Sequence, residues 1–200
     1  MREDELNGLN GSAPVWKLPA HRTKNGKPHI VPLAPQAVAT IKETLALKEI
    51  LIDHDKFPDS PWVFTTTGRG PVAGLYDATR QINRAIAMAR QTVASAKGNS
   101  AETIPRWTPH DIRRTFSTEM HERGLALPHI VEAVINHISG HRAGVAGIYN
   151  RAQYAPEKRA ALEAWANYVD RLLGNNVGPL PRAMAPSDSG LVATSEERER

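Results

Sequence analysis

The sequence predicts an α+β fold, mainly α-helical with a small antiparallel edge sheet. Apolar residues recur at spacings of three and four through most of residues 35–173. Prolines stand at positions 35, 109, 128 and 156, where those periodic stretches begin. Runs that read as strands lie mainly before residue 34.

Residues 15–21 (VWKLPAH) and 28–33 (PHIVPL) read as short strands, with Asn25-Gly26 between them as a type I′ turn signal. Pro19 and Pro32 lack the N–H a central strand needs, so this hairpin is expected at the sheet edge. Pro35 opens a helix with Val38, Ile41 and Leu45 on one face. Residues 53–61 and 65–71 read as loops around WVF at 62–64, a short buried strand or turn.

Leu75, Thr79, Ile82, Ile86, Ala89 and Val93 mark a long amphipathic helix whose other face carries Arg80, Arg84 and Arg90. The segment 97–105 breaks it. Thr108 can cap the next helix, Pro109 fits its first position, and Asp111 can close a capping box. Its buried stripe is read as Ile112, Phe116 and Met120, and Gly124 ends it. Pro128 opens a helix whose core side is Ile130, Val131, Val134 and Ile135. Pro156 opens the last one, patterned by Leu162, Trp165, Ala166, Val169, Leu172 and Leu173. Residues 1–173 therefore read as one domain, and 174–200, with three prolines and a terminal EERER, as a disordered tail.

The 200 residues contain no cysteine, which excludes disulfides, thiolate metal centres and a cysteine nucleophile. No stretch approaches 18 apolar residues and the start, MREDELNG, is polar and acidic. A cytoplasmic protein with neither membrane span nor signal peptide is expected. The formal net charge is +4, and residues 61–160 hold 13 basic against 7 acidic side chains, 11 of the 13 being Arg. The planar guanidinium suits phosphate oxygens, so the central block fits a polyanion.

Candidate chemistry clusters at a few positions. His110 and Arg113 stand three apart on one face at the start of a capped helix, where a phosphate is favoured. Lys24 and Lys27 flank the hairpin tip, and either could deliver a cation. His137 and His141 lie four apart without a clear third metal ligand. Tyr149 follows three glycines, and Tyr154 is its competitor as a phenolic nucleophile.

In order, these residues resemble the tyrosine recombinase (phage integrase) family. TPHDIRRTFSTEM at 108–120 looks like the box around the family's second catalytic Arg. VINHISGHRAGVAGIYNRAQY at 134–154 looks like the terminal His-to-Tyr box, and RTKNGKPHIVPL at 22–33 like the β-hairpin Lys segment. The resemblance implies Lys24, His110, Arg113, His137 and Tyr149 as catalytic residues. His137 stands in an NH dipeptide where many relatives have GH. It implies a catalytic-domain fold over 1–173, with Arg80, Arg84, Arg114 and Lys27 holding the DNA backbone.

The implied reaction needs no metal and no small-molecule cofactor. The Tyr149 oxygen attacks a phosphodiester of a double-stranded attachment site, a 3′-phosphotyrosyl link forms and the 5′-hydroxyl leaves. Two Arg forks and a His neutralise the transition-state charge, Lys24 protonates the leaving oxygen, and His110 takes the Tyr149 proton. A tetramer on DNA is implied. The family's first catalytic Arg lies in a segment resembling T-G-x-R-x-x-E, followed by a hydrophobic and a basic residue. Read as that following pair, Met1-Arg2 would place the first Arg before residue 1, and the chain alone would be nearly inactive. Two rivals are a non-catalytic DNA-binding integrase remnant and a metal hydrolase built on His137 and His141.

Overall fold

The computed structural model describes residues 1–54, 56–137 and 153–175. Expectations for Asp55, for 138–152, and for the tail beyond 175 lie outside the described residues.

The chain opens with a 3-10 turn, Glu3–Glu5, and enters a three-stranded antiparallel sheet of β1 (Leu6–Asn7), β2 (Val15–Leu18) and β3 (His29–Pro32). The order β1-β2-β3 makes β2 central, which corrects the edge-hairpin expectation for that strand. The physical reason lies in where the prolines fall. Pro19 stands just outside β2, and Pro32 sits on β3, which has no further strand beside it. The β2–β3 register pairs Leu18 with His29, so residues 19–28 form a long connection with its own 3-10 turn, Ala20–Arg22. A type I′ turn needs positive φ at two successive residues; Gly26 has φ +65° but Asn25 does not join it.

Five helices follow among the described residues: α1 (Pro35–Asp53), α2 (Leu75–Ala96), α3 (Pro109–Glu122), α4 (Pro128–Val134) and α5 (Ala155–Leu172). Proline occupies the first turn of α1, α3, α4 and α5, as the sequence predicts. Two apolar cores result. Leu33, Ile41 and Val63 centre one between the sheet, α1 and the 62–64 segment, with Trp16, Val38 and Leu45 packed around it. Phe116, Met120, Leu125, Ile130, Val131, Ala161, Ala164 and Tyr168 form the other, joining α3, α4 and α5.

Polar bonds tie the two halves together. Gln36 Nε2 on α1 donates to Asp170 Oδ2 on α5 at 2.6 Å, and Arg159 Nη2 donates to the Pro14 carbonyl at 3.0 Å. Lys158, buried on α5, donates its ammonium to the Ile30 carbonyl of β3. Lys48, buried on α1, reaches Glu3 and the Ser60 carbonyl.

Some predicted core positions face solvent. Ile112 is 58% exposed, and Leu172 and Leu173 are 67% and 71% exposed. The buried line of α5 runs instead through Lys158, Ala161, Ala164 and Tyr168. The helical period of the sequence is matched on α5, with the buried line shifted by one residue so that Ala161 and Ala164 allow close helix approach. On α2 only Thr79 is buried, while Leu75, Ile82, Ile86 and Val93 are 37–56% exposed. That helix touches the rest chiefly through α3 and the Trp107 segment, to whose carbonyl Asn83 Nδ2 donates at 3.4 Å. No helix among the described residues is long and apolar enough to cross a membrane.

Candidate active site

The first turn of α3 sets out His110 and Arg113. Thr108 is extended, and its hydroxyl and backbone N–H both meet Asp111 Oδ2, at 2.7 and 2.9 Å. These two bonds hold the Asp111 carboxyl below the usual carboxylate range. Their contribution to stability is present above about pH 4 and is lost as the pH falls through the lowered folded value. Thr108→Ala is expected to cost about 1 kcal/mol, read as a lower urea midpoint at pH 7. The deficit should shrink in acid, where Asp111 is protonated in both proteins.

His110 and Arg113 are both exposed, one turn apart. Arg113 Nη2 donates to the Ile135 carbonyl at 2.6 Å, which fixes the fork beside the C-terminus of α4. Two further bonds reach the same short stretch from the 19–28 loop and β3. Asn25 Nδ2 donates to Asn136 Oδ1 at 2.9 Å, and His29 Nε2 lies 3.1 Å from the Val134 carbonyl. His137 follows directly, exposed, with its N–H donating to the Glu132 carbonyl at 2.9 Å.

The structure thus brings the Lys24 loop, Arg113 and the entry to His137 to one place on residues 134–137. Lys24 itself is exposed. Lys27 is exposed too, but its backbone is used inside the loop: its N–H donates to Asn25 Oδ1 at 3.1 Å, and its carbonyl lies 2.7 Å from the Thr23 hydroxyl. Tyr149 and His141 lie outside the described residues. Tyr154 is described. It stands in the left-handed region at φ +49°, caps α5, and meets the His129 ring edge-on at 5.2 Å.

The predicted DNA-contacting arginines fall in two places. Arg114 is exposed on α3, 3.5 Å from Asp111. Arg80 and Arg84 line a cleft of about 410 Å³ between α2 and residues 101–106, together with Arg90 and Arg106. Arg106 was not singled out by the sequence, because an isolated basic residue in a loop carries no periodic signal.

A second cleft, about 560 Å³, lies beside the 19–28 loop and includes Arg2, Lys17, His21 and Arg22. Glu5 organises its wall. Burial raises its carboxyl, but bonds from Trp16 Nε1, the Arg2 N–H and Arg22 outweigh burial and hold it below the usual range. Trp62 meets two guanidinium groups, 5.7 Å from Arg2 and 5.6 Å from Arg22. The spacing of Arg2 and Glu5 is R-x-x-E, the signal that could have drawn attention to this pair.

The phage integrase family matches residues 1–155. The chain belongs to the phage integrase family. Prophage integrase IntZ of Escherichia coli (strain K12) is 27% identical over 165 residues, covering 82% of this chain and 34% of the relative. Prophage integrase IntA of the same strain is 26% identical over 170 residues, covering 84% of this chain and 34% of the relative. The chain therefore spans about a third of the length of these relatives. No solved structure matches it at a significant level.

Proposed function

We propose that this chain carries the catalytic chemistry of a site-specific DNA recombinase, cutting and rejoining double-stranded DNA through a 3′-phosphotyrosyl intermediate. The single observation behind this is the convergence of the Lys24 loop, Arg113 and the entry to His137 on residues 134–137, three segments far apart in sequence. Membership of the integrase family supports it, as do relatives named prophage integrases.

In this reading the Tyr149 oxygen attacks a DNA phosphorus and gives its proton to His110. Arg113 and His137 hold the nonbridging oxygens, and Lys24 protonates the departing 5′-oxygen. The Arg80/Arg84 cleft, with Arg90 and Arg106, carries the DNA backbone. Assembly as a tetramer on the attachment site belongs to the same proposal. Tyr154 holds the N-cap position of α5 through its backbone carbonyl, and its ring packs edge-on against His129, which supports Tyr149 as the nucleophile.

We also assign the first catalytic Arg of the family to Arg2, replacing the reading of Met1-Arg2 as the pair that follows it. Arg2 and Glu5 keep the R-x-x-E spacing, the family match runs from residue 1, and Glu5 is buried as the hub of the adjoining cleft.

The test is covalent capture. The purified chain is mixed with a nicked attachment-site duplex whose short fragment, carrying the freed 5′-hydroxyl, diffuses away after cleavage. A denaturation-resistant protein–DNA adduct is expected, abolished by Tyr149→Phe and retained in Tyr154→Phe. The reverse pattern would move the nucleophile to Tyr154. DNA binding with no adduct from any tyrosine would favour a non-catalytic DNA-binding role.

A further inference from the structure

Residues 134–137 are fastened more closely than a helix end requires. Val134 and Ile135 offer carbonyls to His29 and Arg113. Asn136 contributes its side chain as well, accepting from Asn25 across 111 residues of sequence. Its backbone is left-handed, at φ +52°. Glycine and asparagine both tolerate that conformation. Glycine would satisfy the backbone but could make no bond to the loop, so the asparagine adds a connection to a position whose geometry glycine alone could serve.

Asn25 is occupied at both ends of its amide. Its Oδ1 accepts the Lys27 N–H at 3.1 Å, and its Nδ2 donates to Asn136. The first bond closes the loop on itself and the second ties it to the residue before His137. On the other side of Lys24, the Thr23 hydroxyl lies 2.7 Å from the Lys27 carbonyl and 2.9 Å from that of Ala20. Lys24 therefore has both neighbours fixed while its own side chain stays in solvent. An ammonium on a long flexible stem loses little freedom when it reaches a substrate from such a mount, provided the mount does not move.

We propose that Asn25 and Asn136 form a latch that sets Lys24 in register with the His137 segment. They are positioning residues that act through Lys24. The inference rests on the recombinase reading, in which Lys24 supplies a proton to the leaving 5′-oxygen.

Asn136→Gly removes the latch and keeps a residue at ease in the left-handed backbone. Its rate of adduct formation is measured on two nicked duplexes, one with the natural bridging 5′-oxygen and one with sulfur in its place. A thiolate leaves without prior protonation, so the sulfur substrate does not need Lys24. Asn136→Gly is expected to be about 10- to 100-fold slower on oxygen, on the scale of a small misplacement of a reacting group. On sulfur it should match the wild type within about twofold, the signature expected of Lys24→Ala as well. The double variant Asn25→Ala/Asn136→Gly should be no slower than the slower single one.

Wild-type speed on oxygen, or an equal loss on both substrates, would overturn the latch. If the wild type forms no adduct with either duplex, the recombinase reading fails, and the latch is then judged by amide hydrogen exchange. Faster exchange at Thr23–Lys27 in Asn136→Gly than in the wild type upholds the contact as the loop's anchor; unchanged exchange overturns it.

Discussion

Arg113→Ala is expected to slow covalent capture of nicked DNA by about 10²–10³-fold, the usual effect of deleting one preorganised donor from a transition-state site. Arg113 is exposed, and one of its nitrogens is bonded to the Ile135 carbonyl. That bond orients the guanidinium plane and leaves the other N–H groups of the fork for a phosphate. Arg113→Lys should recover little, because an ammonium cannot hold the Ile135 carbonyl and present a planar pair of donors together. Binding to uncut DNA should weaken by no more than the loss of one phosphate contact. A loss confined to binding, with normal cleavage at saturating DNA, would remove Arg113 from the chemistry. Because Arg113 closes the α3–α4 contact, thermal unfolding of both variants must accompany the kinetics, and a similar midpoint assigns the loss to catalysis.

Arg2→Ala is the second large effect. If Arg2 is the family's first arginine, capture should again fall by about 10²–10³-fold. The double variant with Arg113→Ala should fall by less than the product of the two losses, since both forks serve one phosphate. The fold should be spared. Glu5 is bonded to the Arg2 backbone N–H, which alanine retains. The Arg2 side chain pairs at 3.0 Å with Asp4, itself mostly exposed, and lies 5.7 Å from the Trp62 ring, which Arg22 also faces; both contacts are of small worth. Cleavage by Arg2→Ala at the wild-type rate would show that the catalytic arginine lies elsewhere.

Helices were readable in this sequence because their signals are local. Thr108, Pro109 and Asp111 specify a helix start within four residues, and the structure shows the capping box closed. Strand pairing depends on partners distant in sequence, which is why β1 carries no signal of its own and β2 reads as an edge strand. The Asn25-Gly26 signal was real in that Gly26 is left-handed. Asn25, however, spends its side chain on Lys27 and Asn136, and the long loop supplies contacts that a two-residue turn could not.

Lys24, His110, Arg113 and His137 read as candidates from residue type and spacing alone. The bonds that bring the Lys24 loop and Arg113 onto residues 134–137 carry no such local signal. A glutamate within the run Glu3-Asp4-Glu5 reads as a solvated charge, yet Glu5 is buried, because Trp16 and Arg22 return to it from β2 and the following turn. Lys158 likewise reads as surface until the Ile30 carbonyl appears beside it.

The buried lysines change how the protein should be seen by a polyelectrolyte. Lys48 and Lys158 are withdrawn from solvent, Arg22 is spent on buried Glu5, and Arg159 on backbone carbonyls. Such cations release few counterions when DNA arrives, since they do not meet its phosphates. The effective valence toward DNA is therefore expected to be smaller than the basic residue count implies, carried by exposed cations such as Arg80, Arg84 and Arg90 on α2, Arg113 and Arg114 on α3, and Lys24 and Lys27. The salt dependence of binding should report those exposed cations rather than the composition of the chain.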